Sequence, residues 1–485
     1  MPDLPVTPPD IATRLLSAAV YLEPGFADEV HGMLIGDGLT AAGPAVGLEF
    51  PVLLQHAIHS RRIRAYRDCA LSFCWALALF GAAGPLLITR GTKDLPPAAF
   101  GAAVGVASAA TLAWTIATAA RWIRVHTAAT LLRSPRSPLL CAPPLDDRLH
   151  GEMVLDQGAE VVCYSAAAES PFAAFGVPVD AAVAVSVPIV TASRVPDAGG
   201  DRVPPPQDVS LDAADLHFFL RERLRAALGG GGASGDTGVD IRSKLFIRGD
   251  AINDAAALWP RGDKGTRPPR AAQALLYSGI DDPGDRGVTY LSFEAVPPGG
   301  QLAVTMHVRI RVIQERLSLE IASHVAAPLA ARYTVADRLP RTRSGLRSHS
   351  RWHAFLDLPS AMTAAPVDPF VRVLERRAVI RGRLRKLRAL RRGKNPDRGA
   401  PTSIRRLVMD RDKLGYQEET AVRDVLQRFR RALFDNLLDY FEDQGLSTAE
   451  LVRHRDDILM PAVRVREIPA PLSSPSPGPR ARKRR

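Results

Sequence analysis

The chain has 485 residues, more than one hydrophobic core usually serves, so we expect more than one structural unit. Hydrophobic residues make up 46% and charged residues 24% of the chain, which excludes global disorder. The formal net charge is +12, and 56 of the 63 basic residues are Arg. With abundant Ala, Gly and Pro, this bias is typical of GC-rich bacterial genomes, so an exposed Arg alone indicates little about ligands.

Cysteine usage and the N-terminus indicate the compartment. The four cysteines, at 69, 74, 141 and 163, show no C-x-x-C pair and no metal-ligand spacing. This pattern favours a reducing cytoplasm, and we predict neither a metal nor a cofactor. The opening MPDLPVTPPD lacks the basic and apolar regions of a signal peptide. Residues 1–67 follow helical periodicity and predict a small cytoplasmic helical unit. In it, His56 and His59 have a metal-compatible spacing, but a core or solvated role is the commoner explanation.

Two long uncharged segments follow. Residues 69–89 contain no charged residue, and neither do residues 95–120, of which 98–120 follow a Pro-Pro pair. Each is long enough at about 1.5 Å per residue to cross a hydrocarbon core of about 30 Å. Only RGTKD separates them. We therefore predict a transmembrane hairpin over residues 68–121; two buried helices of a soluble protein are the alternative.

Flanking charges predict the orientation of the hairpin. Four arginines precede the first span and four follow the second, whereas the connecting loop holds only Arg90 and Lys93. Basic residues resist translocation, so both termini should be cytoplasmic and the protein should lie in the bacterial inner membrane. Gly101 and Gly105 form a G-x-x-x-G pattern for helix packing, either within the hairpin or in a homo-oligomer. Neither span contains an acidic, basic or histidine side chain, which argues against a transporter or channel.

Residues 122–365 predict a cytoplasmic α+β domain. Val-rich strands are expected within 151–165 and 181–193, and a helix over 211–228. Residues 287–296, 301–314 and 317–329 predict a three-stranded antiparallel meander. In its middle strand, alternation places His307, Arg309 and Arg311 on one face. That face could line an anionic site, although a solvated sheet face is the commoner case.

Residues 366–460 predict a helical C-terminal region. Residues 369–392 form a basic amphipathic helix, and the stretch 371–400 has 12 basic against two acidic residues. Near a membrane, such a helix would attract anionic lipid headgroups. The basic residues proposed as lipid contacts are Arg381, Arg383, Arg385, Lys386, Arg388, Arg391 and Arg392. Alternatively, its apolar stripe packs on its own domain; nucleic acid is a less favoured partner. A second helix is expected from residue 418 until Gly445 ends it, a capping box at Ser447–Glu450, and a disordered basic tail over 461–485.

Catalytic motifs are not evident. The sequence contains no H-E-x-x-H, G-x-S-x-G, Walker lysine loop or kinase signature. His349 and His353 would share one face of a helix, but Pro359 makes a loop equally plausible.

Three segments carry a resemblance: ATRLLSAAVYLEPGFADEV near the start, RRIRAYRD before the first span, and LLDYFEDQGLSTAEL near the end. They resemble a group of uncharacterised two-span membrane proteins of high-GC bacteria. The resemblance implies the hairpin topology and supplies no catalytic residues. We therefore expect a membrane-anchored scaffold or accessory protein that binds protein partners, anionic lipid headgroups or both. A membrane-associated enzyme with a site in residues 150–365 is the alternative.

Overall fold

The computed structural model describes ten segments of the chain: residues 8–88, 95–134, 141–179, 182–190, 211–229, 238–254, 273–281, 287–297, 299–410 and 414–459. The fold is α+β, as predicted. The RGTKD segment, the glycine run at 230–237 and the tail 461–485 lie outside the described residues.

A mixed sheet of seven strands forms the centre of the body within the described residues. The strands are β1 (Val161–Tyr164), β2 (Val177–Pro178), β3 (Val183–Pro188), β4 (Val239–Arg248), β5 (Val288–Ala295), β6 (Ala303–Ile313) and β7 (Arg316–Ala326). Their order is β1-β4-β5-β6-β7-β2, and β3 also pairs with β7. β1 and β4 are parallel, and all other neighbours are antiparallel.

The predicted meander is confirmed as β5, β6 and β7. Leu291 pairs with Val308, and Val308 pairs with Ile321, so these apolar side chains share one face. The turn between β6 and β7 is Gln314 and Glu315, with φ of 48° and 57°. Positive φ at both central residues of a two-residue turn matches the right-handed twist of the flanking strands. Gln314 and Glu315 adopt this conformation although neither is Gly.

Helices cover one face of the sheet. α6 (Ala213–Gly229), α7 (Gln273–Asp281) and α11 (Tyr416–Asp443) pack directly on it, and α12 (Ala449–Arg453) and α13 (Arg455–Leu459) pack beside β3. Leu216, Leu220 and Leu224 of α6 share a core with Met306 and Val308 of β6. The predicted apolar register of the second C-terminal helix is confirmed, because each of its members is buried: Val422, Leu426, Phe429, Leu433, Leu437 and Phe441.

A helical assembly stands beside the sheet. It comprises α1 (Pro8–Leu22), α2 (Pro24–Leu34), α3 (Phe50–Ile88), α4 (Leu95–Arg133) and α8 (Arg343–Ala364). Residues of the predicted 1–67 unit share one core with Leu329, Ile404 and Val408 of later segments. Tyr21 of α1 packs with Val125 of α4. The N-terminal helices are thus integrated with the body.

The remaining helices are α5 (Asp147–Gln157), α9 (Asp368–Arg391) and α10 (Ile404–Val408). The strand predicted within 151–165 is wrong over its first half, which belongs to α5, because a Val-rich composition does not by itself distinguish a strand from a helix. The second half contains β1. The predicted capping box is also wrong. α12 begins at Ala449 without a side-chain cap, because the Ser447 amide donates instead to the Val190 carbonyl at 2.6 Å.

Three arginines are fully buried, contrary to what a compositional bias toward surface Arg suggests: Arg398, Arg405 and Arg430. The Arg398 Nε donates to the Leu39 carbonyl at 3.1 Å and its Nη1 to Asn253 Oδ1 at 3.3 Å. Burial lowers the pKa of Arg398 to about 10. Arg398 therefore ties the N-terminal turn to the body through buried charge-assisted hydrogen bonds.

Candidate functional site

The distal halves of α3 and α4, defined as residues 69–88 and 95–120, carry uncovered apolar side chains. The exposed fraction is 77% for Phe80, 72% for Phe100 and 62% for Phe73. In the proximal half of α3, Leu53 and Leu54 are fully buried. A water-exposed apolar surface of this kind marks an interaction with a membrane or a partner.

One helical stretch of the described residues, Phe100–Arg133, is long and apolar enough to cross a membrane. Core helices of soluble proteins can also reach such lengths. Here, however, only 17% of the most apolar window is buried. The first predicted span, 69–89, runs into residues that the structure does not describe.

Three hydroxyl groups on the distal half of α4 donate to carbonyl groups of the same helix. Ser108 Oγ donates to the Val104 carbonyl at 2.8 Å and Thr111 Oγ1 to the Ala107 carbonyl at 2.8 Å. Thr115 Oγ1 donates to the Leu112 carbonyl at 2.7 Å. A hydroxyl bonded in this way needs no water, which suits a hydrocarbon environment.

The two distal halves cross at a pair of glycines. A Cβ on Gly105 would lie 3.0 Å from Gly81 Cα, closer than side chains ordinarily approach. Gly105 therefore lets α3 and α4 touch backbone to backbone, which is the packing of the hairpin on itself. Gly101 lies one turn earlier on α4 and is half-buried.

Charged pairs mark the base of the hairpin, where the apolar halves begin. Asp68 is only 1% exposed and accepts from Arg67 of α3 at 2.6 Å and from Arg372 of α9. Across the base, Arg121 of α4 pairs with Asp357 of α8. The buried Asp68 carboxylate thus joins α9 to α3 at the level where the apolar surface starts.

Replacing Asp68 with Asn should destabilise the protein by about 2 kcal/mol, because it leaves two arginines facing an uncharged group in a partly dry site. The exposed Asp28 is a matched control, because it also pairs with two arginines, Arg61 and Arg64. Asp28→Asn should cost less than about 1 kcal/mol. Urea unfolding of the detergent-solubilised protein would measure both, and equal losses would contradict a special role for Asp68.

An element that the sequence did not reveal packs against this base. The α8–α9 elbow, residues 352–371, reaches past it onto the distal hairpin. Ser72 Oγ donates to the Ala365 carbonyl at 2.9 Å, and Trp75 Nε1 to the Met362 carbonyl at 2.6 Å. Large exposed side chains flank these contacts: Trp352, Phe355, Leu356, Val367 and Phe370. The elbow extends the apolar surface sideways from the hairpin.

α9 carries six of the seven basic residues predicted as lipid contacts, and the seventh, Arg392, directly follows its last residue. It leads away from the base: Lys386, about 21 Å beyond Arg372 along the helix, pairs with Asp37 after α2 at 2.8 Å. Burial acts to raise the pKa of Asp37, but hydrogen bonds from Lys386 and two backbone amides outweigh it and lower the pKa well below its usual range. Lys386 is therefore engaged within the chain, and lipid contact by the seven residues stays a prediction.

The alternative that the apolar stripe of α9 packs on its own domain is wrong. Every residue of α9 is described and none is buried. Val373, Ile380 and Leu384 of the predicted stripe are 49%, 48% and 43% exposed. α9 touches the rest of the chain at its ends, which leaves its apolar side chains open to another molecule.

His307 lies in the interior of the second sheet face. Its Nδ1 shares a 2.7 Å hydrogen bond with Ser292 Oγ, and its ring stacks on Phe172 with centroids 4.7 Å apart. Phe175 adds an edge contact at 4.5 Å. Burial lowers the His307 pKa well below its usual range, and the nearby His324 and Lys244 reinforce the shift.

The shared face of His307, Arg309 and Arg311 is thus confirmed, but a solvated face is wrong at His307. The segment carrying Phe172 and Phe175 covers it. Arg309 and Arg311 are half-buried, and Arg309 Nη1 lies 3.6 Å from Glu320 Oε2. The sheet face does not present these three side chains together to a ligand.

The other two predicted histidine pairs, His349 with His353 and His56 with His59, lie on α8 and α3. His349 and His353 lie on α8, so the helical alternative is confirmed; their ring centroids are 4.2 Å apart. His56 is buried against the Tyr21 hydroxyl at 3.0 Å, and burial lowers its pKa to about 4. Within the described segments, no group of three or more His, Cys, Asp or Glu side chains is arranged to hold a metal.

Comparison with protein families matches residues 182–466 to the AbeC-like domain. The matched region includes β3 to β7 and the helices α6 to α13, and it leaves out the hairpin and the N-terminal helices. Neither a curated protein nor a solved structure matches the chain. Since the match covers more than half of the 485 residues, the chain belongs to the AbeC-like domain family.

Proposed function

We propose that this protein is a membrane-anchored accessory protein of the bacterial inner membrane. The α3–α4 hairpin crosses the bilayer, and the AbeC-like body binds protein partners at the cytoplasmic surface. The exposed apolar side chains of the distal hairpin carry the proposal: Phe73, Phe80 and Phe100 are uncovered on helices whose proximal halves are buried. Lipid supplies the missing apolar contact.

The sidedness follows from connectivity and charge. α3 enters the hairpin from the body and α4 returns to it, so both ends of the chain lie on one side. The arginines of that side, including Arg61, Arg64, Arg121 and Arg124, outnumber the basic residues of the short loop. The positive-inside rule then places the body in the cytoplasm.

A binding role is supported better than catalysis. His307 is sealed beneath Phe172, and a small pocket between residues 41–45 and β1, near this face of the sheet, measures about 40 Å³. That volume accommodates about one water molecule. By contrast, α9 offers an exposed helix of apolar and basic side chains, which is suited to docking a partner.

Phe80 and Tyr66 provide a matched test, because their exposed fractions are 77% and 75%. Phe80 lies within the distal hairpin, and Tyr66 lies just before its base. An Arg near the centre of a membrane span costs about 3 kcal/mol. Phe80→Arg should therefore lower the fraction of full-length protein that resists carbonate extraction of membranes at least severalfold, whereas Tyr66→Arg should leave it unchanged.

Equal behaviour of the two variants, or wild-type protein that remains in the supernatant after membranes are pelleted, would refute the anchor. A C-terminal reporter active only in the periplasm would refute the sidedness alone. The binding role is tested separately by crosslinking from exposed α9 positions such as Ile380. Capture of lipid alone, without protein, would contradict a protein-docking function.

A further inference from the structure

A groove runs between α4 and α8, which are antiparallel, from the distal hairpin toward the body. Its volume is about 670 Å³. One wall is the face of α4 that carries Trp114, Thr118 and Trp122. The other wall is the exposed face of α8, made by Arg343, Arg347, Arg351, Trp352 and Phe355.

The groove changes from apolar to cationic along its length. The end of the groove nearest the distal hairpin, beside Trp114 and Phe355, adjoins the apolar surface of the hairpin. Arg343 lies twelve residues before Phe355 on α8. It is therefore about 18 Å farther along the helix axis, in the direction away from the distal hairpin. An amphiphile with an apolar tail and a charged head matches this order.

The two helix segments that form the cationic end contain no acidic residue. Arg343, Arg347 and Arg351 follow one another at intervals of four residues and so project from the same side of α8. Neither residues 339–356 nor α4 contain Asp or Glu. Asp357, just beyond, pairs with Arg121. The three exposed guanidinium groups therefore form a positive row beside aromatic rings, and the Arg347 guanidinium lies 5.5 Å from the Trp122 ring centroid.

We propose that this groove binds one anionic phospholipid of the cytoplasmic leaflet. The phosphate lies against Arg347 and Arg351, where guanidinium groups can donate paired hydrogen bonds to its oxygens. An acyl chain lies along Trp114 and Phe355. The inference rests on the proposed membrane anchor and assigns the lipid contact to α8 instead of α9.

The test uses the full-length protein in phosphatidylcholine nanodiscs, with brominated phosphatidylglycerol as the quencher of tryptophan fluorescence. Brominated phosphatidylglycerol should quench the tryptophan fluorescence of wild-type protein at a content at least tenfold lower than brominated phosphatidylcholine does. The triple variant R343Q/R347Q/R351Q should lose that preference. The matched control R381Q/R383Q/R385Q removes the same charge from exposed positions on α9 and should retain it. Circular dichroism verifies that both variants fold, and Arg347→Glu alone should weaken the preference.

An unchanged preference in the α8 triple variant, or equal losses in the two triple variants, would overturn the site. Displacement of the lipid by millimolar glycerol 3-phosphate would also overturn it, because that result indicates a site for free phosphates. These outcomes leave the anchor intact, since the Phe80 and Tyr66 variants test it independently. Failure of wild-type protein to enter membranes would instead overturn the anchor and the lipid site together.

Discussion

Lowering the pH from 7.5 to 5 is expected to reduce the free energy of unfolding by about 6 kcal/mol. The cause is three buried histidines, His56, His217 and His324, whose pKa values burial lowers from 6.5 to about 4. The unfolded chain protonates these side chains below pH 6.5, but the folded chain does so only near pH 4. Stability is therefore complete above pH 6.5 and is lost as the pH falls toward 4.

The size follows from linkage: at pH 5, each such histidine favours the unfolded state by about 2 kcal/mol. Their sum is comparable to the total stability of many proteins, about 5–15 kcal/mol, so the protein should unfold near pH 5. His307 acts in the same direction, because burial lowers its pKa as well.

Urea unfolding at the two pH values, followed by circular dichroism in detergent, measures this loss. His217→Gln and His324→Gln should each reduce the difference between pH 7.5 and pH 5 by about 2 kcal/mol, whatever they do to stability at pH 7.5. His454→Gln is the control, because His454 is partly exposed and pairs with Asp457 at 3.0 Å. A pH difference that persists in both buried-site variants would rule out this explanation.

Gly176→Ala is expected to destabilise the protein by at least about 3 kcal/mol. Gly176 has φ 132° and ψ −143°, a conformation that only Gly adopts readily. An added Cβ would also lie 2.6 Å from the Val325 carbonyl carbon of β7. The substitution must therefore move the segment that holds Phe172 and Phe175 over His307.

Because this movement admits water to His307, Gly176→Ala should also raise the pKa of His307 toward 6.5, which NMR titration of the imidazole would detect. Gly382→Ala is the matched control: Gly382 lies inside α9 with no neighbour within 4 Å of an added Cβ. In a helix interior, Ala is favoured over Gly by about 1 kcal/mol, so this variant should be neutral or stabilised. Similar losses in the two variants would contradict the packing argument.

Elements with strong local periodicity could be predicted from the sequence. The alternation of β6 and the helical register of α11 each encode which side chains meet the core, and Val308 and Phe429 lie there as expected. The uncharged length of α4 likewise predicted an apolar helix. In each case, the information lies within one short segment.

Features made by distant segments could not be predicted. Burial of His307 depends on Phe172, 135 positions earlier, and burial of Asp68 depends on Arg372. The α8–α9 elbow contains Pro359, inside α8, and Pro366, and both locally suggest a loop. Only tertiary packing reveals that it rests on Trp75. In a chain so rich in Arg, the sequence does not distinguish the arginines of α8 from other surface arginines.

α3 and α4 pass from the body core into the distal hairpin without a break, each as a single helix of 39 residues or about 58 Å. Neither helix is interrupted by a hinge between the body and the distal hairpin. Fixing the orientation of the distal hairpin therefore also fixes the orientation of the whole body. For the membrane anchor that we propose, a bilayer of different thickness would then change the angle between the sheet and the membrane plane, and not merely the distance between them.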